Sequence, residues 1–159
     1  LRQFFFPRLT RRYLWRVAIV AAGAFLFFKY ICTPAVIRGA SMEPAYHDGS
    51  VNACWHPKYW FRNPQVGDIV MIRYANRAML FKRVVAVAGE AIEFRQGRLF
   101  VNGRERPEPW VTYPCHWEAE PVTVAEGCLY VIGDNRSMPS SEHQFGACEI
   151  GEIVGGPLW

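Results

Sequence analysis

Ala91-Ile92-Glu93-Phe94-Arg95-Gln96-Gly97-Arg98-Leu99-Phe100-Val101-Asn102-Gly103 reads as two short strands, residues 91–95 and 98–101, each followed by a turn dipeptide. Asn-Gly suits the type I′ turn, whose twist matches that of paired strands, so the stretch predicts successive β-hairpins. Working outward, residues 66–74 (VGDIVMIRY) and 78–87 (AMLFKRVVAV) are apolar runs of strand length, and residues 129–132 (LYVI) form another that ends at Gly133-Asp134-Asn135. Residues 104–126, rich in proline and acid, read as a long excursion between them. With 11 prolines, 13 glycines and no amphipathic helix pattern past residue 31, the chain is expected to be mostly β and antiparallel.

The N-terminal part is different. Residues 13–31, YLWRVAIVAAGAFLFFKYI, carry no charge between Arg16 and Lys29, and about twenty helical residues span a bilayer core of roughly 30 Å. Arg16 and Lys29 can snorkel from the two ends. Of the 18 Lys and Arg residues, six (Arg2, Arg8, Arg11, Arg12, Arg16 and Lys29) lie at or before Lys29, no acid appears before Glu43, and the 12 basic residues beyond Lys29 face 14 Asp and Glu. A basic start followed by an apolar run predicts a cytoplasmic segment over residues 1–12, a transmembrane anchor over 13–31 and an extracytoplasmic domain over 32–159. A removed signal peptide lacks a small-residue cleavage site at Lys29-Tyr30-Ile31, and a buried core helix would not be apolar all round. A mitochondrial transit segment also fits an Arg-rich, acid-free start. The slightly acidic remainder is not a basic nucleic-acid binder, and an apolar content of 51% excludes a disordered chain.

Five cysteines, Cys32, Cys54, Cys115, Cys128 and Cys148, show no CxxC pair and no zinc spacing, so neither a metal nor a cofactor is expected. One or two disulfides suit an extracytoplasmic domain, and among the last four cysteines Cys115 and Cys128 lie closest in sequence. Trp55, Tyr59, Trp60 and Phe61 are large rings among polar residues, and two readings stay open: a lip resting on lipid headgroups, or a hairpin folded onto the core.

Ser41, in Gly39-Ala40-Ser41-Met42-Glu43-Pro44, and Lys82, in Phe81-Lys82-Arg83-Val84-Val85, are the residues with chemistry. A serine hydroxyl needs a positioned base, and a lysine amine serves only when neutral. In an alternating strand Lys82 shares a face with Leu80 and Val84, so an inward face would desolvate it and depress its pKa. His47, His56 and His116 have no paired spacing and read as surface or loop residues.

Four blocks in order, Ser41-Met42-Glu43-Pro44, Gly67-Asp68-Ile69-Val70, residues 82–90 and Gly133-Asp134-Asn135-Arg136, resemble those of the type I signal peptidases, and the similarity extends to Phe145-Gly146 and Ile153-Val154-Gly155. The resemblance implies an antiparallel β domain behind a single N-terminal transmembrane helix. It also implies a membrane-bound endopeptidase that removes N-terminal signal peptides from exported proteins, with Ser41 as nucleophile and Lys82 as general base, through an acyl-enzyme. Substrate would bind as an added strand with small side chains at the first and third positions before the cut, and Ile37, Met42, Leu80 and Phe81 match the pocket walls. Expected partners are preprotein signal peptides, delivered by the secretion translocon, and the lipid bilayer, with no nucleic acid. Expected placement is the bacterial inner membrane, single-pass, with the catalytic domain periplasmic or extracellular.

The chain departs from the family pattern in two places. Gly39 stands where many bacterial members have a serine that aids the oxyanion, leaving the Ser41 N-H as the first donor. After Arg136, Pro139 falls on the usual lysine-orienting serine, Ser141 on an aspartate and His143 on an arginine. Either Ser137 or Ser140 is the orienting candidate, and Glu142 or Asp134 would supply the lost charge. Because endoplasmic-reticulum relatives use histidine in place of lysine, His143 is the rival base. Two alternatives remain: the mitochondrial inner-membrane peptidase of the same family, and a non-catalytic membrane-anchored β domain that binds exported segments.

Overall fold

The computed structural model describes residues 10–73, 79–143 and 146–159. A 20-residue helix, α1 (Arg11–Tyr30), is capped by the Thr10 hydroxyl, which accepts from the Tyr13 N-H. At 1.5 Å per residue it is about 30 Å long. Its mean hydropathy is 1.3 and none of its residues is buried against the rest of the chain, as for a helix whose apolar surface meets lipid. The Thr33 hydroxyl donates to Phe28 O at 3.1 Å and the His56 N-H to Ile31 O at 3.0 Å, so the helix end is tied directly to the first strands.

Among the described residues eleven strands follow: β1 (Cys32–Val36), β2 (Val51–Trp55), β3 (Ile69–Arg73), β4 (Met79–Val87), β5 (Ala91–Arg95), β6 (Arg98–Val101), β7 (Arg104–Glu105), β8 (Ala119–Thr123), β9 (Cys128–Ile132), β10 (Gly146–Glu149) and β11 (Ile153–Pro157). They form a seven-stranded sheet in the order β1-β2-β11-β3-β4-β9-β10 and a four-stranded sheet in the order β7-β6-β5-β8, and every pairing is antiparallel. The expected hairpins are present: β5 pairs with β6 and β6 with β7, and Gln96, Gly97, Asn102 and Gly103 all have positive φ, as type I′ turns require.

One apolar cluster joins the two sheets, with Val85, Ala86 and Ile132 from the larger against Ile92, Phe94, Leu99 and Val101 from the smaller, closed by Trp117 and Val124. A second, around Val70, Val84, Leu129 and Val131, underlies the centre of the large sheet. A third, Ile37, Met42, Cys54, Met71 and Phe81, packs beneath the residue 37–50 loop.

Several expectations change. The 66–74 and 78–87 runs become β3 and β4, while Tyr74 and Ala78 lie outside the described residues, as do residues 1–9 of the basic segment, Gln144 and Phe145. The long excursion holds two strands, β7 and β8. β8 is exposed at all five positions, so it carries no apolar alternation to read. All five cysteines are free thiols, and the Cys115–Cys128 disulfide is not formed. Register explains two near misses: Cys32 opposes Trp55 while Cys54 opposes Thr33, and Cys148 opposes Leu129 while Cys128 opposes Glu149. Each pair of thiols is therefore one step out of phase and points to opposite faces. The aromatic cluster divides: the Tyr59 hydroxyl donates to Ile69 O and its ring packs on the second cluster, whereas Trp60 and Phe61 are exposed.

Candidate active site

β1 leads into the loop that carries Ser41. The Ile37 N-H donates to Ser50 O and the Gly49 N-H to Ile37 O, both at 2.9 Å, which closes the loop at its base. Inside it, the Gly39 N-H donates to Asp48 Oδ1 at 2.7 Å. Beneath it lie Ile37, Met42 and Phe81, 3%, 1% and 5% exposed. Of the four residues matched to pocket walls, these three pack in the cluster beneath the loop, and Leu80 is half-buried on β4.

Lys82 sits at the middle of β4 and is 2% exposed, yet its Nζ lies 2.9 Å from the half-buried Ser41 Oγ. Its inward aim follows from strand alternation, since the same face carries Val84 into the second cluster. Burial pushes the amine down from its ordinary value of 10.5 to about 8, while the nearby Asp134 carboxylate pulls the other way. The neutral amine is then a substantial population near neutral pH and can accept a proton from the hydroxyl it contacts.

The Gly133-Asp134-Asn135-Arg136 block lies against this pair. At Gly133 even a Cβ would fall 2.1 Å from Ser41 O and 2.6 Å from His143 Cε1, so only glycine permits the approach. Asp134, wholly buried, takes Arg83 in a bidentate pair, Nε to Oδ1 at 2.7 Å and Nη2 to Oδ2 at 2.5 Å. The same guanidinium donates to Gly67 O at 2.8 Å, which joins the Gly67-Asp68 turn to the block. Asn135 donates twice to the nucleophile loop, from its N-H to Ser41 O at 3.0 Å and from Nδ2 to Ala40 O at 3.1 Å. Arg136, 1% exposed, pairs with Glu108 through two hydrogen bonds of 3.0 and 2.5 Å.

The orienting candidates are placed elsewhere. The Ser137 hydroxyl donates to Asn135 Oδ1 at 2.6 Å, and Ser140 is exposed in a single 3-10 turn, Ser140–Glu142; neither bonds to Lys82 among the described residues. Glu142 is exposed in the same turn, so Asp134 is the carboxylate that acts on Lys82. His143, 6% exposed, is held by burial at a pKa of about 4, and its Nε2 is engaged 2.8 Å from Asn135 O. His47 and His116 are exposed, while His56 bonds the Thr33 hydroxyl at 2.9 Å. Asp48 and Glu108 escaped the sequence reading because each acts on a partner 9 or 28 residues away, with no local pattern to mark it.

A groove of about 420 Å³ is lined by residues 33–36 and Arg38, on the segment that leads to Ser41, and by Met71, Met79 and Leu80, the last on the strand that carries Lys82. β1 is the last strand of its sheet, and β4 pairs with β9 only from Arg83 onward. Both β1 and residues 79–82 of β4 therefore present an unpaired backbone edge, the geometry that accepts an added strand. Among the described residues no cluster of His, Cys, Asp and Glu suits a metal ion.

An antiparallel β fold that sets a serine hydroxyl against a buried amine has the parts of a hydrolase, and comparison with known proteins gives the family. Residues 10–157 match the family described as signal peptidase, peptidase S26, and the chain belongs to that family. Thylakoidal processing peptidase 1 of Arabidopsis thaliana chloroplasts is 34% identical over 142 residues, which are 82% of this chain and 42% of that protein. Signal peptidase IB of Staphylococcus aureus strain COL is 29% identical over 161 residues, 89% of this chain and 84% of that protein. A crystal structure of a signal peptidase I from Enterococcus faecalis V583 shares the fold, with a TM-score of 0.50 at 24% identity over 60% of this chain and 97% of that one. The chain spans only 42% and 38% of the length of the two Arabidopsis relatives.

Proposed function

We propose that the protein is a membrane-anchored endopeptidase that removes signal peptides from exported proteins, with Ser41 as nucleophile and Lys82 as general base. The observation that carries this reading is the 2.9 Å contact between the Ser41 hydroxyl and an amine whose burial lowers its pKa to about 8. Lys82 takes the hydroxyl proton as Oγ attacks the scissile carbonyl, then returns it to the leaving amine, giving an acyl-enzyme that water hydrolyses by the same relay. The Ser41 N-H is the first oxyanion donor; the Gly39 N-H is committed to Asp48 and supplies none.

The substrate would enter as a strand between the edges of β1 and β4, with its side chains alternately toward Leu80 and toward solvent. Family membership and helix α1 support a membrane-anchored protein. The basic residues ahead of α1 support a cytoplasmic N-terminus with residues 32–159 across the bacterial inner membrane, where preproteins emerge from the translocon.

The test is cleavage by detergent-solubilised protein of a peptide with alanine at the first and third positions before the cut. Ser41→Ala and Lys82→Ala should each abolish it. Undiminished turnover in Lys82→Ala would remove lysine from the mechanism, and no cleavage by the wild type would leave a domain that only binds exported segments.

A further inference from the structure

Resting on the serine-lysine reading above, we propose that His143 is a positioning residue: its imidazole fixes the Asn135 peptide unit, and Asn135 in turn holds the Ser41 loop at hydroxyl-to-amine distance from Lys82. The ring is wedged between two rigid neighbours. On one side the Trp117 indole meets it edge to face, with centroids 4.9 Å apart and planes at 77°. On the other, Gly133 comes so close that a methyl there would overlap His143 Cε1 and Ser41 O together. Trp117 is itself anchored by its Nε1-H on Met138 O at 2.9 Å.

The hydrogen bonds run in one direction. Because the partner of Nε2 is the Asn135 carbonyl, Nε2 carries the proton and donates, at 2.8 Å. Asn135 is thereby gripped at its oxygen by His143, and its N-H and Nδ2 grip Ser41 O and Ala40 O at 3.0 and 3.1 Å. Its amide orientation is not free to invert, since Oδ1 receives the Ser137 hydroxyl at 2.6 Å. The carbonyls of Ala40 and Ser41 are thus fixed from one side while the Ser41 hydroxyl faces Lys82 on the other. Burial keeps the imidazole uncharged through neutral pH, so the donor at Nε2 persists under working conditions. A displacement of about 1 Å at a reacting group costs on the order of 10²-fold in rate, which sets the scale of the effect.

Two substitutions separate positioning from packing. His143→Phe keeps a flat ring against Trp117 and deletes the donor; His143→Gln surrenders the ring and retains an amide N-H near Nε2. Cleavage of the alanine-containing peptide should show kcat reduced about 10- to 100-fold in His143→Phe with KM within about twofold, since the groove contains no part of His143, and recovery to within about fivefold of wild type in His143→Gln. Wild-type kcat in His143→Phe overturns the inference while leaving the serine-lysine reading intact. Equal loss in both variants with parallel losses of Tm also overturns it, as that pattern is packing alone. If His143→Phe does not fold, His143→Gln decides: kcat near wild type supports the role, and a loss beyond tenfold at unchanged Tm refutes it. A wild type that cleaves nothing fails the parent reading instead.

Discussion

Replacing Lys82 by Met tests the buried amine in two independent ways. The folded state lowers its pKa from 10.5 to about 8, and at 1.36 kcal/mol per pH unit this is a bias of about 3 kcal/mol against the ammonium form. For activity, the neutral fraction is about 0.1 at pH 7 and about 0.9 at pH 9, so wild-type kcat/KM should rise about tenfold between them and then level. For stability the sign follows from proton counts. Below pH 8 both folded and unfolded chains bind the proton and stability does not change with pH. Between about 8 and 10.5 only the unfolded chain binds it, so stability rises, reaching its full value above 10.5 and losing about 3 kcal/mol as the pH falls back to 8. Lys82→Met, similar in length and uncharged, should be inactive yet should lack this rise. Denaturant titrations of both proteins at pH 7.5 and 10.5 isolate the group, because every other titration is common to both. A wild-type rate flat from pH 7 to 9, or a stability difference between the two proteins that is constant with pH, would refute the reasoning.

Three further outcomes are expected. Asp134→Asn strands the Arg83 guanidinium, whose partner is wholly buried; it should cost about 3 to 5 kcal/mol by denaturant titration. Since Asp134 raises the Lys82 pKa, the surviving activity should shift its rise to lower pH. Gly133→Ala places a methyl 2.1 Å from Ser41 O, so it should cost about 1 to 3 kcal/mol and, by moving the loop, lower kcat on the order of 10²-fold, measured by thermal melts and peptide cleavage. Ala21→Asp with Phe25→Asp adds about 2.5 to 3.5 kcal/mol of insertion cost per residue to α1; the full chain should then no longer co-float with lipid vesicles in a density gradient.

The β5–β6 hairpin was legible because turn chemistry and strand character agree within a dozen residues. β1 was not: Pro34 lies inside it and argues against a strand, and it is tolerated because β1 is the outermost of its sheet and needs no further ladder bond. β11 contains Gly155, where a Cβ would meet Trp55 O at 2.5 Å, so close packing against β2 demanded a residue that reads as loop. At the site, Ser41 and Lys82 were legible as types set in recognisable blocks. What holds them was not, because the altered stretch after Arg136 directs attention to serine hydroxyls while the contacts pass through the Asn135 backbone and the His143 ring.

Helix α1 ends at Tyr30, and β1 runs straight on from it toward Ser41, only 11 residues further along the chain. Fully extended, that tether spans no more than about 40 Å, and the Thr33 and His56 bonds shorten its play. With α1 embedded in lipid, Ser41 is leashed to the bilayer surface at which α1 ends. For the endopeptidase proposed above, that leash would select by altitude as well as by side chain, so a bond presented deep in the aqueous compartment would stay intact whatever residues flank it.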